Sequence, residues 1–189
     1  MLKLVTGLVI FLGVHSIRIV APAWRERMVA RLGAAPWKGL YSVASLVGFV
    51  LIVGGYAAAR IDPVVLYQPP SWLRHVSMLL MLPVFPLLLA AYLPGRIKAA
   101  VKHPMLTATK AWALAHLLAN GMLADVLLFG GFLAWAVLDR ISAGKRPQPV
   151  TSAPASVRND VIAVVVGLAL YAVFALWAHP RLIGVPVMP

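Results

Sequence analysis

The sequence predicts an all-α protein, a polytopic bundle of about six transmembrane helices. Three observations favour this fold class: 62% of the 189 residues are hydrophobic, only 12% are charged, and long apolar runs recur along the chain. A soluble domain carries about 25% charged residues, and a bilayer-spanning helix needs about 20 apolar ones. No stretch alternates apolar and polar residues as a transmembrane barrel strand does. We therefore expect a single membrane domain over 1–189.

Six apolar segments are long enough to be considered as spans. They are Leu4 to Val20, Leu40 to Ala59, Leu73 to Leu93, Met105 to Ala119, Met122 to Leu138 and Val161 to Ala178. No small-residue cleavage site follows the first segment, which predicts a retained span and not a signal peptide. The fourth segment is short and polar for a span, since it contains Lys110 and His116. Only Asn120 and Gly121 separate it from the fifth, which predicts a tight helical hairpin.

Basic residues are distributed unevenly between the two sides that six spans would define. The chain has 17 Lys and Arg against 5 acidic residues, a net charge of +12. All but four of the basic residues fall on the side of the connections after the first, third and fifth spans. The four exceptions are Lys3, Arg60, Arg74 and Arg181. By the positive-inside rule this places both termini outside the cytoplasm, and it indicates contact with anionic membrane lipid and not with nucleic acid.

Two of the connections predicted to be cytoplasmic have a composition that indicates their structure. The segment from Ser142 to Ser156 is rich in Pro, Ser and Ala, which predicts a flexible loop without a site. The segment from Arg25 to Gly33 has apolar residues at helical spacing with arginines opposite them, which predicts a short helix at the membrane surface.

His15 and His116 fall inside apolar runs. An ionisable side chain within a span is rare, and by default it indicates a functional site. Two histidines on separate helices indicate a group held between them, most economically a metal or a haem iron. The chain has no cysteine, which excludes thiolate ligation and cysteine-based zinc or iron–sulfur sites.

Arg18 lies three residues after His15 and therefore on the same helical face. The imidazole would suit an iron, and the guanidinium would suit a haem propionate. The alternative is a histidine that hydrogen-bonds a neighbouring helix and an arginine that extends to the lipid headgroups.

Trp112 and Ala113 share a helical face with His116, and the small Ala113 would let a flat macrocycle approach. The alternative is ordinary packing of a helix with small residues and one polar residue. His103 precedes Pro104, which is typical of an N-cap at the start of a helix. No pair of carboxylates and no hydrolase motif appears, so the catalytic residues, if any exist, stay unassigned.

The segments HSIRI (15–19), KHPM (102–105) and WALAHLLANG (112–121) together resemble the NnrU family of bacterial membrane proteins. That family is associated with nitrite and nitric oxide reduction, and the plant 15-cis-ζ-carotene isomerase is a relative. The resemblance covers roughly Met1 to Asp139, in order and spacing. It implies a multi-pass protein of the bacterial inner membrane with periplasmic termini.

The resemblance also implies a haem b. In the isomerase branch, the histidines that match His15 and His116 hold the iron, and the family motif includes the histidine at His103. The implied role is redox or nitric oxide-linked sensing or electron transfer that supports denitrification. If the protein is an enzyme, the resemblance implies a haem-dependent cis–trans isomerase acting on a polyene or another apolar lipid. The isomerase branch has a ligand-exchanging cysteine where this chain has Ala113, which puts that activity in doubt.

Two further classes stay open on sequence. A Lys-His-Pro segment before a helical hairpin also occurs in integral-membrane methyltransferases that use S-adenosylmethionine, although their downstream acidic residues are not recognisable here. The second open class is a structural or assembly-helper protein, in which the histidines would only form hydrogen bonds.

Overall fold

A computed structural model describes residues 1–146 and 155–187, and nearly all of their regular structure is helical. The helices are α1 (Leu2–Val20), α2 (Pro22–Leu32), α3 (Ala34–Ala59), α4 (Leu73–Met81), α5 (Val84–Tyr92), α6 (Arg96–Val101), α7 (Pro104–Ala119), α8 (Leu123–Gly144), α9 (Val157–Val173) and α10 (His179–Ile183). A π-helical turn joins α9 to α10. The predicted all-α class is confirmed.

Five stretches of the described chain are long and apolar enough to cross a membrane. They are Leu2–Val20, Ala34–Ala59, Leu73–Tyr92, Leu123–Gly144 and Val157–Ile183. They correspond to five of the predicted spans. The predicted fourth span forms α7, whose 16 residues extend about 24 Å, short of the roughly 30 Å of a hydrocarbon core. The protein is a multi-pass membrane protein, while the predicted side of each terminus remains a prediction.

The connections differ in part from their predicted form. A helix is present where one was predicted at 25–33; it is α2, with Pro22 in its first turn and no buried residue, and its place at the membrane surface remains a prediction. The first three residues of the predicted flexible loop, 142–144, still belong to α8, because the helix continues to Gly144. The middle of that loop, residues 147–154, lies outside the described residues.

Contacts between the helices group the chain into two compact units. The first comprises Met1–Pro69 and Asn120–Lys145, and so contains α1, α2, α3 and α8. The second comprises Pro70–Ala119 and Arg146–Pro189 as far as it is described, and contains the other helices. The single membrane domain expected from the sequence remains a prediction.

Glycines bring α1 and α3 into backbone contact in the first unit. A Cβ atom on Gly48 would lie 2.8 Å from the backbone nitrogen of Phe11, and one on Gly7 would lie 2.6 Å from that of Ile52. Such distances are sterically forbidden, so these positions need glycine, as is common where membrane helices cross closely. The crossing fixes Phe11, which lies one turn before His15.

We predict that Gly48→Ala lowers the stability of the first unit. The added methyl group has to push α1 away, and overpacking of this kind costs about 1–3 kcal/mol. Thermal unfolding in detergent should show a clearly lower midpoint. Gly39→Ala is the matched control on α3, because a Cβ there meets nothing within 4 Å. That variant should be neutral or slightly stabilising, since Ala favours a helix more than Gly does. Equal midpoints for the two variants would contradict the close crossing.

A small apolar cluster positions α7 in the second unit. Val84 and Leu87 of α5 and Ala108 of α7 are buried together, and Trp112 packs against them. The start of α6 is held from α9, because the Asp160 carboxylate accepts hydrogen bonds from the first backbone N–H groups of α6. This carboxylate satisfies N–H groups that have no partner within the helix. The apolar cluster fixes the face of α7 that carries Trp112 within the second unit.

Candidate functional site

The His15 imidazole is oriented by the backbone of its own helix. Its Nδ1 lies 2.6 Å from the carbonyl oxygen of Phe11, one turn earlier. A carbonyl only accepts hydrogen bonds, so this contact requires the proton on Nδ1. The neutral ring then carries its lone pair on Nε2, the nitrogen that a metal would take. Within the described chain, Nε2 of His15 makes no hydrogen bond.

Aromatic rings from three helices surround His15. Phe11 on α1 stacks on the imidazole with ring centroids 4.2 Å apart. Tyr41 on α3 lies at 5.2 Å, and Trp135 on α8 lies edge-on at 5.9 Å. Such packing restricts the ring to one orientation, as a site for a rigid ligand requires. It also makes the surroundings of His15 apolar.

His116 repeats the backbone contact of His15 on another helix. Its Nδ1 lies 2.8 Å from the carbonyl oxygen of Trp112, again one turn earlier on the helix. The same argument puts the proton on Nδ1 and the lone pair on Nε2. The Trp112 ring lies 5.3 Å from the imidazole and is itself held by the apolar cluster of the second unit.

The other predicted site residues have simpler settings. Arg18 is exposed in the last turn of α1. His103 directly precedes α7, as predicted, and its carbonyl oxygen accepts hydrogen bonds from the backbone and the hydroxyl of Thr107. Ala113 is 0% exposed, so protein atoms cover it completely.

The predicted residues fall into two groups, one in each unit. His15 and Arg18 lie together near the end of α1 in the first unit. The second unit contains His103, Trp112, Ala113 and His116, all on α7 or immediately before it.

The donor set suits a haem better than an isolated metal ion. Within 1–146 and 155–187, no three His, Asp or Glu side chains come together as a metal site. A haem iron takes four ligands from the porphyrin and needs only axial ligands from the protein, for which an imidazole is common. Two histidines with protonated Nδ1 atoms, each held by a carbonyl, fit that requirement, because metal-binding histidines donate their other N–H in this way.

Sequence reasoning missed the residues around His15. Phe11 could have been found, since a spacing of four places two side chains on one helical face. Tyr41 and Trp135 carry no comparable signal, because they reach His15 from α3 and α8. The indole Nε1 of Trp135 is buried, and it has no hydrogen-bond partner among the described residues.

A buried pair of polar side chains was missed as well. Asp125 near the start of α8 is 0% exposed. Its carboxylate accepts a 2.6 Å hydrogen bond from the Tyr56 hydroxyl of α3 and a 2.9 Å bond from the backbone N–H of Met122. Helical spacing could not reveal this partner, because the two residues are 69 positions apart in the chain. The pair ties α3 to the start of α8.

The connection after α3 closes over the start of α8. Leu66 N–H donates to the Gly121 carbonyl at 2.8 Å, and the Tyr67 hydroxyl donates to the Asn120 carbonyl at 2.7 Å. Partial burial and, secondarily, the nearby Asp125 carboxylate raise the pKa of Tyr67, so its hydroxyl keeps its proton at neutral pH.

Comparison with known proteins decides the family. The family model described as NnrU protein matches residues 3–187. This chain belongs to the NnrU family. The match extends well beyond the segment from Met1 to Asp139 on which the sequence motifs lie, and it confirms the resemblance that those motifs indicated. No curated protein and no solved structure matched the chain.

Ala113 distinguishes this NnrU protein from the isomerase branch. A cysteine at this position would offer a thiolate to an iron held by the histidine one turn later. Alanine offers no ligand, and its methyl group is completely covered by protein. Residue 113 of this NnrU protein therefore has no side-chain atom that could bind a metal.

Proposed function

We propose that this NnrU protein binds a haem b with His15 and His116 as its axial ligands. We further propose that the haem serves redox or nitric oxide-linked sensing or electron transfer in support of denitrification, in the bacterial inner membrane and with both termini periplasmic. The family membership and the sequence motifs suggest this role. The shared geometry of the two histidines is the observation that carries the ligand assignment.

That geometry is specific in one respect. Each imidazole donates from Nδ1 to the carbonyl of the residue four positions earlier, at 2.6 Å for His15 and 2.8 Å for His116. This contact selects the tautomer in which Nε2 is the ligand atom, and it strengthens the donor character of Nε2.

The chain would contribute orientation and a dry environment. Haem iron, when bound, supplies a one-electron couple and a site for a diatomic gas if an axial position opens. Phe11, Tyr41 and Trp135 would exclude water from the His15 side and hold its ring in place. Arg18, one turn further along α1, would pair with a propionate.

Titration of the purified protein with hemin in lipid nanodiscs tests the proposal. We expect a sharp Soret band that saturates at about one haem per chain, with both axial positions occupied by nitrogen in the electron paramagnetic resonance spectrum. Uptake that rises without saturation, as for hemin dissolving in lipid, would contradict it. Empty nanodiscs are the control.

The spectrum of the reduced protein under carbon monoxide separates the two proposed roles. Electron transfer is favoured by two fixed histidines, in which case carbon monoxide leaves the reduced Soret band unchanged. A gas-sensing role requires one histidine to dissociate, and carbon monoxide then shifts that band. Polyene isomerisation has less support, because Ala113 stands where the isomerase branch has its exchangeable thiolate.

A further inference from the structure

Two polar atoms close to one another in the first unit have no hydrogen-bond partner among the described residues. One is Nε2 of His15, which holds a lone pair because Nδ1 carries the proton. The other is Nε1 of Trp135, a buried N–H donor. Their rings lie 5.9 Å apart, edge to face, and the two atoms do not satisfy each other.

A buried donor without an acceptor is unfavourable by about 1–3 kcal/mol, so it calls for an explanation. An indole N–H only donates, and its best partner is a group that only accepts. A carboxylate is such a group, and its charge makes the bond stronger than a neutral one. A ligand that offered an iron to His15 and a carboxylate to Trp135 would satisfy both atoms.

Haem has both features, and the setting of Trp135 suits its propionates. Trp135 lies in the C-terminal half of α8, nine residues before its last residue, Gly144. Arg140 and Lys145 follow it there, and Arg18 occupies the last turn of α1 beyond His15. A propionate carboxylate forms strong hydrogen bonds with basic side chains, which these positions supply.

We propose that Trp135 is a positioning residue that donates a hydrogen bond from Nε1 to a propionate carboxylate of the haem bound at His15. This inference rests on the proposed haem function. It assigns a role to a side chain on α8, a helix that contributes no ligand to the iron.

The test compares haem affinity for the wild type and for Trp135→Phe in nanodiscs. Phenylalanine keeps an aromatic ring against His15 and removes only the N–H donor and part of the indole. We expect the variant to keep the visible spectrum of the wild type but to bind haem roughly tenfold more weakly, since a hydrogen bond to a charged group is lost. Trp177→Phe, at an exposed tryptophan of α9's π-helical extension, is the matched control and should bind as the wild type does.

Haem dimethyl ester identifies the acceptor, because its propionates are neutral while its iron is unchanged. We expect the tenfold difference between the wild type and Trp135→Phe to fall to about twofold or less with the ester. The propionate bending bands of the resonance Raman spectrum should also shift in Trp135→Phe with native haem.

Three results would overturn the proposal in distinguishable ways. Equal haem affinity for the wild type and Trp135→Phe would show that Nε1 does not donate to the haem. A tenfold difference that persisted with the ester would show that the acceptor of the Nε1–H hydrogen bond is not a propionate carboxylate. A wild-type protein that takes up no haem would overturn the proposed function as well. Size-exclusion profiles identical to the wild type would show that Trp135→Phe is folded.

Discussion

Replacing His15 or His116 with Ala will remove most of the haem from the protein. Under the proposed assignment, each substitution deletes an iron ligand, one whose Nδ1–H is held by a backbone carbonyl. Loss of such a hydrogen-bond partner alone typically weakens metal binding about 10- to 100-fold, so loss of the ligand itself should exceed that. Haem content measured after purification should fall to a small fraction of the wild type. Any haem that remains should have an altered spectrum, since one axial position is vacant.

His179→Ala is a stringent control for this experiment. The Nδ1 atom of His179 also contacts a backbone carbonyl, that of Val185 at 2.7 Å, so the control has the same hydrogen bond without the predicted ligand role. It should retain the wild-type spectrum and haem content. Added imidazole should restore a six-coordinate spectrum to His15→Ala or His116→Ala, because it can enter the cavity left by the side chain. Unchanged spectra in both alanine variants would contradict the ligand assignment.

Replacing Asp125 with Ala will destabilise the first unit strongly. The Tyr56 hydroxyl and the Met122 N–H, both partly buried, would lose their acceptor, the fully buried Asp125 carboxylate. An unsatisfied buried polar group costs about 1–3 kcal/mol, so we expect roughly 2–4 kcal/mol in total. The midpoint of thermal unfolding in detergent, followed by size-exclusion chromatography, should drop further than for any other single substitution considered.

Conservative variants separate the hydrogen bonds from the charge of Asp125. Asp125→Asn keeps one acceptor oxygen and should lose less stability than Asp125→Ala. Tyr56→Phe removes the donor and leaves the carboxylate bonded to Met122, so its effect should also be smaller. Asp62→Ala, at an exposed acid outside the candidate spans, should have no effect. A wild-type midpoint for Asp125→Ala would show that the pair contributes nothing to stability.

The helices were largely predictable from the sequence, and their ends were less so. Apolar runs locate the spans because a lipid-facing backbone has to form its hydrogen bonds within a helix. Hydropathy does not determine where a helix begins or ends. Helix α3 therefore begins at Ala34, six residues before the predicted start of its span, and includes the charged Lys38. For the same reason, α8 continues past the predicted end of its span to Gly144. The hydropathy of α7 indicated a span, but its length does not reach one.

The candidate site was predictable only along each helix. His15 and His116 were identified because an imidazole in an apolar run requires a reason, and each has its stabilising carbonyl within its own helix. The partners that come from elsewhere in the chain were not accessible. Tyr41, Trp135 and the Tyr56–Asp125 pair meet through the crossing of α1, α3 and α8, and single-sequence periodicity contains no information on which helices cross.

The most direct test of the haem assignment is an oxidised-minus-reduced visible spectrum of the detergent-purified protein. Haem is quantified in the same sample as the pyridine haemochrome. We expect a Soret band, sharp α and β bands on reduction, and about one haem b per chain. Absence of these bands, both as purified and after reconstitution with hemin, would contradict the account. His15 and His116 would then be residues of helix packing.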